Sequence, residues 1–269
     1  MPTSLSFEEH GAGLGDAWSV LRDNAARAGL GAAVPTCPGW TVRDLVAHQG
    51  MVHRWATGAV RGEPDDKAAD TTDATVQNGL DSPDLLGWFD DGARDLLAAL
   101  ALAPDDPRLT FFLPDAPAGK AAWARRQCHE TSIHAVDAMA AARGEAPTAA
   151  QTWVRGPLAH DGVDELLCGF VPRRKVALRS KQPYLVVVRS TDTGGAWTLR
   201  VSTQQVMTTV GEPGAAALGA HTDGPAVRMV EVSGTAAQLY LGLWNRGDEL
   251  TVSDPTFLDE WRGMVTVLW

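Results

Sequence analysis

The sequence is short of paired cysteine, of lysine and of any long apolar run. Its three cysteines, Cys37, Cys128 and Cys168, are odd in number and widely spaced, and they form no CxxC. Neither a disulfide framework nor a cysteine-type zinc site is expected, and each is read as a reduced thiol. Lysine supplies only four of the 23 basic residues (Lys67, Lys120, Lys175 and Lys181), against 33 acidic ones, for a formal charge of -10. That balance repels polyanions, and the basic clusters at Arg125–Arg126 and Arg173–Lys175 are too short to offset it, so no nucleic-acid partner is expected. No run is apolar for the length a bilayer requires, which argues against a membrane partner. The opening MPTSLSFEEHG carries acidic residues where a secretory leader needs a basic start and an apolar centre. The expected location is therefore cytoplasmic.

With 45% hydrophobic and 21% charged residues and a mean hydropathy of -0.12, the composition is that of an ordinary globular protein. A length of 269 residues favours two domains of unequal character. Leu14, Trp18, Leu21, Ala25 and Ala28 recur at alternating four- and three-residue steps, predicting an amphipathic helix from Ser6 to about Gly31. The turn-rich VPTCPGW, Val34 to Trp40, disfavours helix, and Thr41 can cap a second helix from Val42 to about Val60. Residues 61–80 are polar and aperiodic and read as an exposed loop. Ser82-Pro83-Asp84 opens a third helix that Pro104 and Pro107 end, and Ala121 to Ala142 form a fourth, with Gly144 as its stop.

A helical stretch from Ala149 to Phe170, broken near Gly156-Pro157, leads to a change of period. Tyr184–Arg189, Ala196–Val201, Val206–Val210 and Val227–Val232 are short and β-branched, which are strand signals. Thr193-Gly194-Gly195 reads as a hairpin turn. Thr235 then precedes a helical pattern from Ala236 to Trp244, and Leu250–Val252 suits a last strand. The expected class is α+β: a four-helix bundle over 1–148, a helical connection over 149–180 and a smaller α+β domain over 181–269.

Glu130 and His134 lie four residues apart in one predicted helix, so they emerge on one face a turn apart and can reach a single point. A carboxylate and an imidazole supply two of the three protein donors of a catalytic zinc site. His48 is the favoured third, since it sits among apolar Leu45, Val46, Ala47 and Val52, where an unpaired imidazole is costly to bury. His53 and His129 should face elsewhere. Asp137 and Asp44, each close to one turn from a candidate ligand, could hold a ligand imidazole through its second nitrogen, or serve at a cap or surface. Trp40 and Trp55 read first as packing residues. Cys37 precedes a helix start and could gain thiolate character there, or simply pack in the turn.

The run PTCPGWTVRDLVAH from Pro35 to His48, followed by VHRW ending at Trp55, resembles the N-terminal signature of the mycothiol-dependent maleylpyruvate isomerase family, a branch of the DinB-like metalloproteins. HETSIHAVD, from His129 to Asp137, resembles the family's second signature. Likeness extends through HDGVDE at His160–Glu165, VPRR at Val171–Arg174 and SGTAAQLYLGLW at Ser233–Trp244. The resemblance implies that His48, Glu130 and His134 bind a divalent metal, usually taken as zinc, and that the C-terminal part is sterol-carrier-like. It also implies an arginine acting in the substrate cleft, for which Arg246 is the loosely aligned candidate.

Three functions are consistent with these residues. In the first, a thiol transferase or isomerase binds mycothiol or a related small thiol at the open metal position, and the thiolate adds to an electrophilic small molecule. A cleft between the two domains would hold the thiol's remaining groups and the acceptor. In the second, water replaces the thiol and the chain is a hydrolase, which needs a general base. In the third, the chain binds a metal or an apolar ligand without turnover. The expected assembly is a monomer or small homo-oligomer.

Overall fold

The structure is a computed structural model that describes residues 3–63, 68–105, 111–113, 116–117, 119–214 and 228–267, with main chain alone at 68–71. The chain forms two compact units, divided in sequence between Pro147 and Thr148.

In the first unit, α1 (Phe7–Ala28) and α2 (Val42–Val60) both begin in reciprocal capping boxes. Ser6 pairs with Glu9 and Thr41 with Asp44, so two orphan backbone donors are satisfied at each start. α3 (Ala68–Leu80), α4 (Leu85–Leu102) and α5 (Lys120–Arg143) complete the unit. α1 packs along α5, and α2 along α4 and α3. The four long helices of the expected bundle are present. α3 corrects the loop expected at 61–80, of which residues 64–67 lie outside the described residues, as does Pro107. Thr72, Thr75, Val76, Gly79 and Leu80 are its shielded positions. They repeat at helical spacing, but Thr and Gly carry too little apolar signal for the period to show. Gly79 matters sterically, because a Cβ there would come 2.8 Å from the Trp88 ring. Arg54 lies over the same ring, 3.7 Å from its centroid.

α5 differs from its neighbours in being buried on every face from Ala122 to Ala138. Arg125 and Arg126 are 1% and 0% exposed, so this basic pair is interior.

In the second unit, a 3-10 turn (Ala149–Gln151) precedes α6 (Gly156–Asp164), which continues as a π-helical segment through Glu165–Phe170. Five strands follow: β1 (Tyr184–Ser190), β2 (Ala196–Val201), β3 (Met207–Val210), β4 (Arg228–Gly234) and β5 (Thr251–Val252). Val227, the first residue of the expected fourth strand, is not among the described residues. The sheet order is β3-β2-β1-β4-β5, with β1 and β4 parallel and all other pairs antiparallel. Val186, Val187 and Val188 of the central β1 are fully buried, as a strand covered on both faces requires. α7 (Ala236–Leu243), capped by Thr235 and Gln238, packs on α6, and α8 (Thr256–Met264) closes the chain. The class is the α+β expected. No helix among the described residues is long and apolar enough to cross a membrane.

Candidate metal centre

Two helices of the first unit bring His48, Glu130 and His134 together. α2 is started by the Thr41 cap, which places His48 two turns in. α5 presents Glu130 and His134 one turn apart, as their i,i+4 spacing dictates. Glu130 Oε1 lies 3.3 Å from His134 Nε2 and 3.8 Å from His48 Nε2. All three donor atoms fall within 4.8 Å of one another. A tetrahedral zinc ion with bonds of about 2.0–2.1 Å has donor-to-donor edges of about 3.3 Å. Both edges from Glu130 Oε1 are therefore within half an ångström of that spacing.

The electrostatics agree with the geometry. Oε1 of Glu130 is buried and accepts no hydrogen bond among the described residues. An orphaned carboxylate oxygen facing two imidazoles is what a cation site requires, and the donor chemistry fits a borderline divalent ion. Burial alone would raise the Glu130 carboxyl, but the Arg126 guanidinium and the two imidazoles outweigh it and hold it well below the usual carboxylate range. Burial pulls His48 below the ordinary imidazole value, which favours the neutral, ligating form. His134 is also penalised by burial, yet Asp137 and Glu130 outweigh that and lift it to about 9.

Asp137 meets His134 at its other nitrogen, with Oδ2 2.9 Å from Nδ1. A carboxylate only accepts, so Nδ1 carries a hydrogen, and once the ring is neutral Nε2 is the bare nitrogen that faces Glu130. Thr36 and Cys37 also donate to Asp137, at 2.5 Å and 3.2 Å. Cys37, His134 and Asp137 thus form a second close group of potential donors. Their contacts have hydrogen-bond character and satisfy the carboxylate. Trp40 stands against both imidazoles, with ring centroids 5.0 Å from His48 and 6.2 Å from His134.

Other candidates fall away from the trio. Asp44 is committed to the Thr41 cap, accepting from its backbone nitrogen and hydroxyl, so it does not hold His48. His53 is buried against Gln49 and Thr131, and His129 stands T-shaped against His10. Trp55 joins Phe112 and Trp123 in an aromatic cluster. In the second unit, Arg246 follows α7 and donates Nη1 to the Trp244 carbonyl. Sequence reading missed Arg126, although its i-4 spacing from Glu130 was visible. It also assigned no pairing for Thr36, which lies 101 residues from Asp137 and gives no local signal.

A two-unit α+β protein with a His–Glu–His donor trio in its helical unit defines the class. The mycothiol maleylpyruvate isomerase N-terminal domain matches residues 12–139, and the corresponding C-terminal domain matches residues 157–256. The chain belongs to the mycothiol-dependent maleylpyruvate isomerase family. No curated protein matches it in sequence. Among solved structures it is similar to a mycothiol-dependent maleylpyruvate isomerase, at 17% identity with a TM-score of 0.59, covering 94% of this chain and 96% of that one. A histidine-to-alanine mutant of such an isomerase matches at 16% identity, with a TM-score of 0.62 and the same coverage. These likenesses are of fold.

Proposed function

We propose that His48, Glu130 and His134 hold one divalent cation, zinc by the chemistry of its donors, and that the protein is a thiol-dependent transferase or isomerase. Its thiol is mycothiol or a similar small thiol, and its acceptor an electrophilic small molecule. The observation that carries this reading is the buried Glu130 Oε1, without a hydrogen bond among the described residues, facing two imidazole nitrogens near the spacing of a tetrahedral edge. Membership of a family named for mycothiol and maleylpyruvate supports the choice of thiol and of isomerisation.

A divalent ion held there would lower the pKa of a thiol bound to it, making thiolate available at neutral pH. Three protein donors leave one of four positions open. Asp137 sets the His134 tautomer, burial keeps His48 neutral, and Trp40 supplies an aromatic wall beside both rings. Asp137 is already engaged by His134, Thr36 and Cys37, which weighs against its serving as the free base that hydrolysis would need. Arg246 is the proposed cation for a carboxylate on the acceptor. Arg246→Ala should raise KM for an anionic acceptor while leaving metal content unchanged.

Metal analysis should find about one divalent ion per chain. With cobalt in its place, mycothiol should produce a sulfur-to-metal charge-transfer band that mycothiol blocked at sulfur does not. Maleylpyruvate is the first acceptor to assay, followed by other electrophiles. If neither mycothiol nor other cellular thiols perturb the cobalt spectrum at millimolar concentration, the thiol reading fails and hydrolysis or ligand binding takes its place.

A further inference from the structure

Glu130 has two oxygens in different circumstances. Oε2 accepts from Arg126 Nη2 at 2.7 Å, while Oε1 has no hydrogen bond among the described residues and faces His134 and His48. Arg126 is 0% exposed and Glu130 4%, so neither water nor salt competes with their bond. Both residues sit on α5, one turn apart, so their separation is set by a helix rather than by a loop. A guanidinium stays protonated and donates in a fixed plane, which defines the carboxylate's orientation as well as its charge.

A carboxylate can bind a cation through one oxygen or both. When both oxygens turn onto the ion, the second takes up coordination space that an incoming ligand would otherwise use. We propose that Arg126 is a positioning residue that holds Glu130 to binding through Oε1 alone, and so keeps a coordination position open for the thiol. This inference rests on the metal-site reading given above. It differs from a merely structural ion pair in what it expects of a folded variant. A structural pair affects folding and leaves coordination as it was, whereas a positioning residue changes how many donors the ion sees.

The test compares the wild type with Arg126→Gln and Arg126→Lys, all loaded with cobalt. The wild type should show the intense visible bands of four-coordinate cobalt and respond to mycothiol with a charge-transfer band. Arg126→Gln frees Oε2, so it should still bind about one cobalt but with visible bands weakened severalfold, as a higher coordination number requires. Its half-saturating mycothiol concentration should rise by about tenfold or more, in the range typical of lost outer partners. Arg126→Lys keeps the buried charge and protects folding but lacks the planar fork, so both readouts should fall between those of the other two proteins. X-ray absorption of the zinc forms should count one more oxygen neighbour in Arg126→Gln than in the wild type.

Either folded variant with the wild-type cobalt bands and mycothiol response would overturn the role of Arg126. Should Arg126→Gln fail to fold, Arg126→Lys decides alone. A wild type that binds no divalent ion would instead refute the metal reading itself, an outcome distinct from variants that match a loaded wild type.

Discussion

Two histidines five residues apart on α2 enter opposite kinds of polar cluster. Five residues turn a helix by about 140° beyond a full turn, so His48 and His53 look in different directions. His53 is fully buried, with Nε2 2.9 Å from Thr131 Oγ1 and 3.0 Å from Gln49 Nε2, and its ring stacks on Phe89. Burial holds its pKa down to about 3, so it stays neutral at any ordinary pH. His48 keeps 19% side-chain exposure and faces a carboxylate oxygen that no hydrogen bond among the described residues satisfies. The imidazole of His53 sits among neutral partners, and although its Nδ1 and Gln49 Oε1 find no hydrogen bond among the described residues, no carboxylate stands there to hold an ion. A ligand site is marked by convergence on an unsatisfied charge, with an edge left open.

The contrast is tested most strongly by deletion of each cluster. His48→Ala, Glu130→Ala and His134→Ala should each weaken metal binding by more than about 100-fold, exceeding the loss usual for an outer partner. Dialysis followed by metal analysis reads the result, with circular dichroism to check folding. Full occupancy in all three variants would dissolve the distinction between the clusters.

Asp137→Asn tests the support behind the site. Losing the carboxylate that fixes the His134 tautomer should weaken metal affinity by about 10- to 100-fold while preserving stoichiometry at saturating metal. Competition with a chelator measures it, and an unchanged affinity would reduce Asp137 to a tie between the 35–40 turn and α5.

A pH series gives the next effect. In the metal-free protein His134 titrates at about 9, so a metal bound at neutral pH must displace a proton. Affinity should climb by about tenfold per pH unit and level off above about 9, and calorimetry in buffers of different ionisation enthalpy should find about one proton released per ion at pH 7. Without metal the sign reverses. A folded pKa raised above 6.5 stabilises the metal-free protein fully below that pH, and the contribution disappears as pH rises through about 9. Metal affinity that is flat between pH 6 and 8 would contradict this linkage.

The smallest change is expected in the neutral cluster around His53. His53→Phe keeps the stack on Phe89, and Gln49 can still donate to Thr131. Stability to urea should fall by about 1 kcal/mol, the net worth of an ordinary buried hydrogen bond, with metal content unchanged. A loss of metal in this variant would join the two clusters into one.

Much of this arrangement was legible locally. The i,i+4 spacing of Glu130 and His134, the Thr41 cap and the β-branched runs of the strands depend on neighbours within a few residues, and short-range geometry carries them intact. α3 was not legible, because its packed face is built from Thr and Gly. For Asp44 the choice between a cap and a partner of His48 stayed open in the sequence, since spacing alone cannot tell a capping carboxylate from one that serves an imidazole, and the structure selects the cap. Thr36 and Cys37 reach Asp137 only because the chain returns after about a hundred residues.

What the sequence by itself determined is which residues share a helix face and which runs must be strand, because helical and pleated periodicities are properties of the local chain. Only the tertiary structure decided that α2 delivers His48 to the Glu130–His134 face, that Asp137 is fully engaged, and that Arg126 lies inside. Those outcomes depend on how separate helices pack and on what each buried polar atom finds there. Burial turns an unpaired oxygen or a buried guanidinium into a strong constraint, and no local spacing records where burial will fall.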